Sequence, residues 1–104
     1  MAMERFPDLD AVICGSDQIA RGALDALREA GRDVPTEVSV IGHDNWIPLS
    51  TQARPPLTTI DMDLEQLGET ASHLLFEAMD GKPTAGSRTI PCRLVTRSST
   101  VPTN

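Results

Sequence analysis

The sequence predicts an α/β fold in which a parallel βαβ sheet carries flanking helices. Ala11-Val12-Ile13-Cys14 and Val38-Ser39-Val40-Ile41 are short β-prone runs separated by a stripe of helical period, the layout of one βαβ unit with a right-handed crossover. Both runs stop at a glycine and then turn polar, as Gly15-Ser16-Asp17 and Gly42-His43-Asp44-Asn45-Trp46. A third run, Leu57-Thr58-Thr59-Ile60, leads to Asp61 and Asp63 and then to a second helical stripe. In a parallel sheet such strand ends share one edge, and small ligands bind outside it.

In order along the chain, Phe6-Pro7-Asp8-Leu9-Asp10 is a turn-rich lead-in from a frayed terminus. Ala11–Cys14 is continuously apolar, which fits a strand covered on both faces. Ser16 or Asp17 can cap the helix that follows. Its stripe is Ala20, Ala23, Leu24, Leu27 and Ala30, and Gly31 is placed to end it in a left-handed conformation. Val34-Pro35-Thr36-Glu37 leads into the strand Val38–Ile41. Residues 47–56 are polar and broken by proline, with room for one helical turn, and Pro55-Pro56 imposes an extended approach to the third strand. Asp63 with Gln66 resembles a capping box. Leu64, Leu67, Ala71, Leu74, Leu75 and Ala78 then form an apolar helical face ended by Gly81 and Pro83, and Gly68 allows close backbone approach on it. Ile90 to Thr96 reads as a terminal strand.

The bulk properties narrow the function. A chain of 104 residues holds one small domain, and 39% apolar with 23% charged residues suits a soluble globular protein. The net charge of −6 makes a poor footprint for phosphate backbones, so this chain by itself is not expected to grip nucleic acid. No apolar run approaches the ~20 residues of a membrane span, and the start has no signal-peptide pattern. Cys14 and Cys92 lack metal-ligand spacing and read as buried, reduced thiols of a cytoplasmic protein.

The polar residues at the strand ends carry the candidate chemistry. Gly42–Trp46 reads as a ligand loop or, as readily, as a turn whose Asp-Asn pair serves backbone geometry. Carboxylates and an amide can hydrogen-bond sugar hydroxyls while the Trp46 ring covers the C–H face of the sugar. The same acidic rim could hold Mg²⁺, as in a receiver-like α/β domain. A receiver wants a lysine facing the rim, and the sole lysine, Lys82, sits between Gly81 and Pro83 at a helix end. Asp17 and Asp63 read first as helix caps and His43 as a packed or surface imidazole. No nucleophile–base–orienter set, Walker motif or GxGxxG is present, so neither an enzyme nor a cofactor or resident metal is expected.

The order of these motifs resembles the LacI/GalR repressor family. Gly15-Ser16-Asp17-Gln18-Ile19-Ala20-Arg21-Gly22 is similar to its "(N/S)-D-x-x-A-x-G" segment, and Val34-Pro35-Thr36-Glu37-Val38-Ser39-Val40-Ile41-Gly42-His43-Asp44 to "V-P-x-D-V-x-V-x-G-F-D". Pro55-Pro56-Leu57-Thr58-Thr59-Ile60 with Leu67-Gly68 resembles "P-P-L-T-T-(I/V)…L-G", and Pro91 to Ser99 resembles the "L-P-x-x-L-V-x-R-x-S" ending. Four pieces in register make the match specific.

The resemblance implies part of a periplasmic-binding-protein-like type I lobe, from a domain whose two lobes close on a small effector, usually a sugar or a purine. Effector binding then modulates DNA binding by an N-terminal helix-turn-helix. It implies effector contacts from Asp44, from Ser16 where Asn is commoner, from Trp46 as a pocket aromatic and from Leu64 where the chain re-enters the cleft. His43 stands where Phe or Tyr is usual and is read as a packing substitution. Residues 1–104 match only the final third of family members, so they are expected to be a C-terminal fragment of an effector domain without the helix-turn-helix. In the family the helix after P-P-L-T-T belongs to the other lobe, which implies an uncovered face here and a homodimer, with elements exchanged, to hide it. A fragment of an exported solute-binding protein would share the fold and is the alternative.

Overall fold

The structure, a computed structural model, describes residues 2–102, with the side chain of Ala2 left aside. Its elements run α1 (Ala2–Arg5), β1 (Ala11–Ile13), α2 (Asp17–Glu29), β2 (Ser39–Ile41), α3 (Ile47–Gln52), β3 (Thr59–Asp61), α4 (Leu64–Met79) and β4 (Arg93–Val95). β1 pairs parallel with β2, Val12 opposite Val40, across the α2 crossover. Ile41 bridges in parallel to Thr58, and the Gly42 N–H donates to the Thr58 carbonyl, so the chain entering β3 extends the same parallel layer. β3 also pairs antiparallel with β4, Ile60 opposite Leu94.

The core lies between α2 and this layer. Ala20, Leu24 and Leu27 of the predicted stripe are buried against Cys14, Val38, Val40, Ala53 and Leu57, and Met3 of α1, a helix the sequence did not signal, packs on the edge. The stripe packs because its small side chains let α2 sit close to the sheet. Ser16 caps α2, its Oγ accepting from the Ile19 N–H at 3.1 Å, and Gly31 ends it at φ 71°. Gly42 is required by close approach. A Cβ there would overlap Asp17 Oδ1 and lie 2.8 Å from Leu57 Cδ2.

Several expectations change. Asp17 does not cap α2. Ser16 does, and the Asp17 carboxylate turns inward. β1 is covered on one face only: Val12 packs on the core while Ile13 is 76% exposed. Cys14 is buried but Cys92 is exposed, and both are free. Ile90 to Thr96 shortens to Arg93–Val95 and runs antiparallel. In α4, which Asp63 caps, no residue is buried, and Leu67, Leu75, Phe76 and Met79 are exposed. Nothing lies within 4 Å of a Cβ on Gly68, so its close approach is not made among the described residues. The radius of gyration, 18.2 Å, is well above the ~13 Å of a compact domain of this length.

Two glycines give opposite expectations. Gly42→Ala overpacks the core beside Asp17 and should lower unfolding stability by about 1–3 kcal/mol or more. Gly22→Ala, inside α2 with nothing within 4 Å of the added carbon, should raise it by about 0.5–1 kcal/mol. Urea denaturation followed by circular dichroism measures both; a neutral Gly42→Ala would mean that the packing around Asp17 is loose.

Candidate functional site at the strand ends

The carboxyl ends of β1, β2 and β3 meet along one rim, held together by backbone hydrogen bonds between their loops. The Asp17 N–H donates to the His43 carbonyl at 2.9 Å, and the Asp44 N–H donates to the Ile60 carbonyl at 2.9 Å. Asp17 is 1% exposed. Its Oδ2 accepts from the Trp46 N–H at 2.8 Å and its Oδ1 from the Thr59 hydroxyl at 2.6 Å. A carboxylate can be buried only with such donors around it, and here they fix the start of α3 and the start of β3 together.

The loop between β2 and α3 departs from ordinary backbone. Asp44 has φ 121° and Asn45 φ 53°, both in the region that favours glycine. Asn45 is held by its side chain: Nδ2 donates to Asp61 Oδ2 at 2.8 Å, and Oδ1 accepts from Arg97 Nη2 at 2.8 Å and from the Ser50 hydroxyl at 3.3 Å. Arg97 also donates from Nη1 to the Leu57 carbonyl at 2.9 Å. The Asn45 amide, with the Asp63 N–H and the Arg93 guanidinium, holds the Asp61 carboxyl below the usual carboxylate range.

The sequence-predicted residues fall on this frame as follows. The Asp44 side chain is 42% exposed, with Oδ1 3.3 Å from His43 Nδ1, so one oxygen faces a neighbour while the group stays open to solvent. His43 thus partners Asp44 in addition to any packing role. Trp46 is 53% exposed at the N-cap of α3. Ser16 Oγ is occupied as an acceptor by the α2 cap, leaving its proton free to donate outward. The loops that carry these three residues are stitched directly to each other. Leu64 stands apart, exposed at the first position of α4, and joins the rim only through the Asp61–Asp63 turn.

The arrangement offers a half-exposed carboxylate, a hydroxyl and a flat ring, the groups that bind a polyhydroxylated molecule. Among the described residues no group of His, Cys, Asp or Glu converges as a metal site. Asp17 and Asp61 are committed to protein donors, which weakens the Mg²⁺ alternative. A cavity of about 220 Å³ lined by Leu24, Arg28, Arg32, Val34 and Arg54 opens at the opposite end of the sheet, away from the rim. Sequence reasoning placed Asn45 in the loop as a hydroxyl partner, whereas its amide is spent on Asp61, Arg97 and Ser50, and it missed Thr59 and Arg97. Their signals were a paired threonine in an otherwise apolar run and an arginine in the terminal motif, neither of which names its partner.

Residues 1–100 match a family of periplasmic binding protein-like domains. The chain is 41% identical over 104 residues to the HTH-type transcriptional repressor CytR of Escherichia coli (strain K12), covering 95% of this chain and 30% of that protein. A transcriptional regulator CelR–cellobiose complex superposes with a TM-score of 0.85 at 35% identity, over 93% of this chain and 30% of that one. The lac repressor dimer bound to operator and the anti-inducer ONPF gives 0.87 at 33% identity, over 97% and 35%. The chain thus spans about 30% of the length of curated relatives it matches.

Because Asn45 is the largest influence lowering the Asp61 pKa, Asn45→Ala should bring that carboxyl back up toward its ordinary range, as carboxylate NMR titration would read. A depressed folded-state pKa adds stability above the unfolded value, near 3.9, and loses it as pH falls through the folded value. Acid unfolding of the variant should therefore begin at higher pH. An unchanged Asp61 titration would show that the Asn45 bond is absent in solution.

Proposed function

The chain belongs to the periplasmic binding protein-like domain family, in the form carried by LacI/GalR transcriptional regulators, and from that membership we propose that it is the effector-sensing portion of a LacI-type repressor. It supplies the C-terminal part of an effector domain and binds a small sugar-like ligand. Ligand binding modulates the DNA affinity of an N-terminal helix-turn-helix outside these residues, in the cytoplasm, without enzymatic turnover. The observation that carries the proposal is the Gly42–Trp46 loop: a half-exposed Asp44 carboxylate beside an exposed Trp46 ring, on backbone fixed to the buried Asp17. The CelR neighbour, a cellobiose complex, supports a saccharide as the ligand class. In this proposal Asp44 anchors a hydroxyl pair, Ser16 donates one hydrogen bond, Trp46 stacks, and Leu64 adds apolar contact from the lip. The net charge of −6 leaves DNA contact to the other domain.

Calorimetric titration of the repressor carrying this chain with a saccharide panel including cellobiose tests the proposal. Asp44→Ala should weaken the saccharide bound by the parent about 100-fold, or about 2.7 kcal/mol, with an unchanged circular dichroism spectrum. An unchanged affinity would exclude Asp44 as the anchor.

The uncovered apolar residues of α4 together with Ile13 support a homodimer as part of this proposal. We propose that the 104-residue chain alone hides these faces against a second copy by exchanging elements. Light scattering should then give about twice 11.2 kDa, whereas a compact monomer at high dilution would sink the idea.

A further inference from the structure

We propose that Arg97 is a positioning residue for the ligand loop: through Asn45 it holds Asp44 and Trp46 in place and ties them to Asp61 at the root of α4. The inference deepens the effector-loop proposal above, and rests on it for its functional meaning.

The loop cannot hold its own shape. Asp44 and Asn45 both sit at positive φ, a region L-residues keep only where the surroundings over-determine it. The surroundings here arrive from far along the chain. Arg97 is fixed at its own backbone, where its N–H donates to Thr58 Oγ1 at 2.9 Å. Its guanidinium then spans two segments, donating to the Leu57 carbonyl and to Asn45 Oδ1. Both partners are neutral oxygens, so the planar fork acts here by geometry rather than by ion pairing.

Asn45 is the residue such a junction needs. Its amide presents oxygen to the arginine cation and nitrogen to the Asp61 anion, and the two charges select one orientation of the amide. A carboxylate at this position would repel Asp61. Asp61 in turn accepts the Asp63 N–H at 2.7 Å, and Asp63, at φ 52°, caps α4. The loop bearing Asp44, the tail after β4 and the start of α4 are thus joined through one side chain.

Amide hydrogen exchange on the ligand-free 104-residue chain tests the inference. Arg97→Lys keeps the charge but cannot reproduce the fork. Exchange at the Asp44 and Trp46 amides, which donate to Ile60 and Asp17, should accelerate at least tenfold. Exchange at the Cys14 and Ala20 amides should stay within twofold. No change at Asp44 and Trp46, or equal acceleration everywhere, overturns the positioning role. Asn45→Asp is the second variant, because a general loss of packing would not give it a pH profile. It sets a second carboxylate against Asp61 in a site that Arg97 and Arg93 also face, so the pair keeps a shared proton to higher pH than Asp61 does beside the Asn45 amide. Loop exchange, corrected for its intrinsic pH dependence, should be fast at neutral pH and slow again on acidification, when a shared proton restores the donor; a flat profile overturns the proposal. If the exchange behaves as expected while no saccharide binds the parent, the effector reading fails and the junction stands.

Discussion

The buried carboxylate of Asp17 is the constraint on which the rest of the rim depends. At 1% exposure it has left water, and its partners are a backbone N–H and a hydroxyl rather than a cation. Hydrogen bonds to a charged acceptor each contribute about 1.5–3 kcal/mol, and removing one donor leaves desolvation cost unopposed. As the first residue of α2, Asp17 also sits where the helix dipole favours an anion. Gly42 must lack a side chain to admit it, the Trp46 amide must point back from α3, and Thr59 must turn its hydroxyl inward. Three loops that would otherwise be independent strand ends therefore take one relative position.

That ordering is confined to one end of an open structure. Ala20, Leu24, Leu27, Val38, Val40 and Leu57 supply a closed core, but α4 contributes nothing to it and Ile13 faces outward. Burying a leucine or isoleucine is worth roughly 1.5–3 kcal/mol, so the exposed residues on α4 and β1 represent a large unused driving force. It is concentrated on α4, whose Leu67, Leu75, Phe76 and Met79 stay exposed in a chain 60 Å long.

What was legible in the sequence divides along the range of the interactions. The α2 stripe, its glycine stop, the Asp63 cap and the strands' places follow from local periodicity and capping, and they agree with the structure to within a few residues. The family motifs placed Ser16, Asp44, Trp46 and Leu64, and the loops of the first three do meet. Illegible were the pairings at long separation. Asp17 looked like a cap because caps are local, whereas its partners Trp46 and Thr59 lie 29 and 42 residues away. The burial of Ile13 and Cys92 was misjudged for a related reason: apolarity indicates that a face can be covered, and only tertiary contact decides whether it is.

The same distinction decides how firmly the rim is held. A ligand loop built from local turn chemistry would relax when a ligand left, and each binding event would bear the ordering cost again. Here the unusual backbone at Asp44 and Asn45 is imposed by side chains from elsewhere, Asp17 below the loop and Asn45 locked between Asp61 and Arg97. The Asp44 side chain faces His43 Nδ1 at 3.3 Å and is otherwise substantially exposed. An exposed carboxylate thus stands on backbone tied down by hydrogen bonds from distant residues. The division of labour is visible in burial: Asp17 orders the site and is sealed from solvent, while Asp44 is presented by the site and is open to it. Two aspartates of identical chemistry thus take opposite roles because one has its donors supplied by the fold and the other does not.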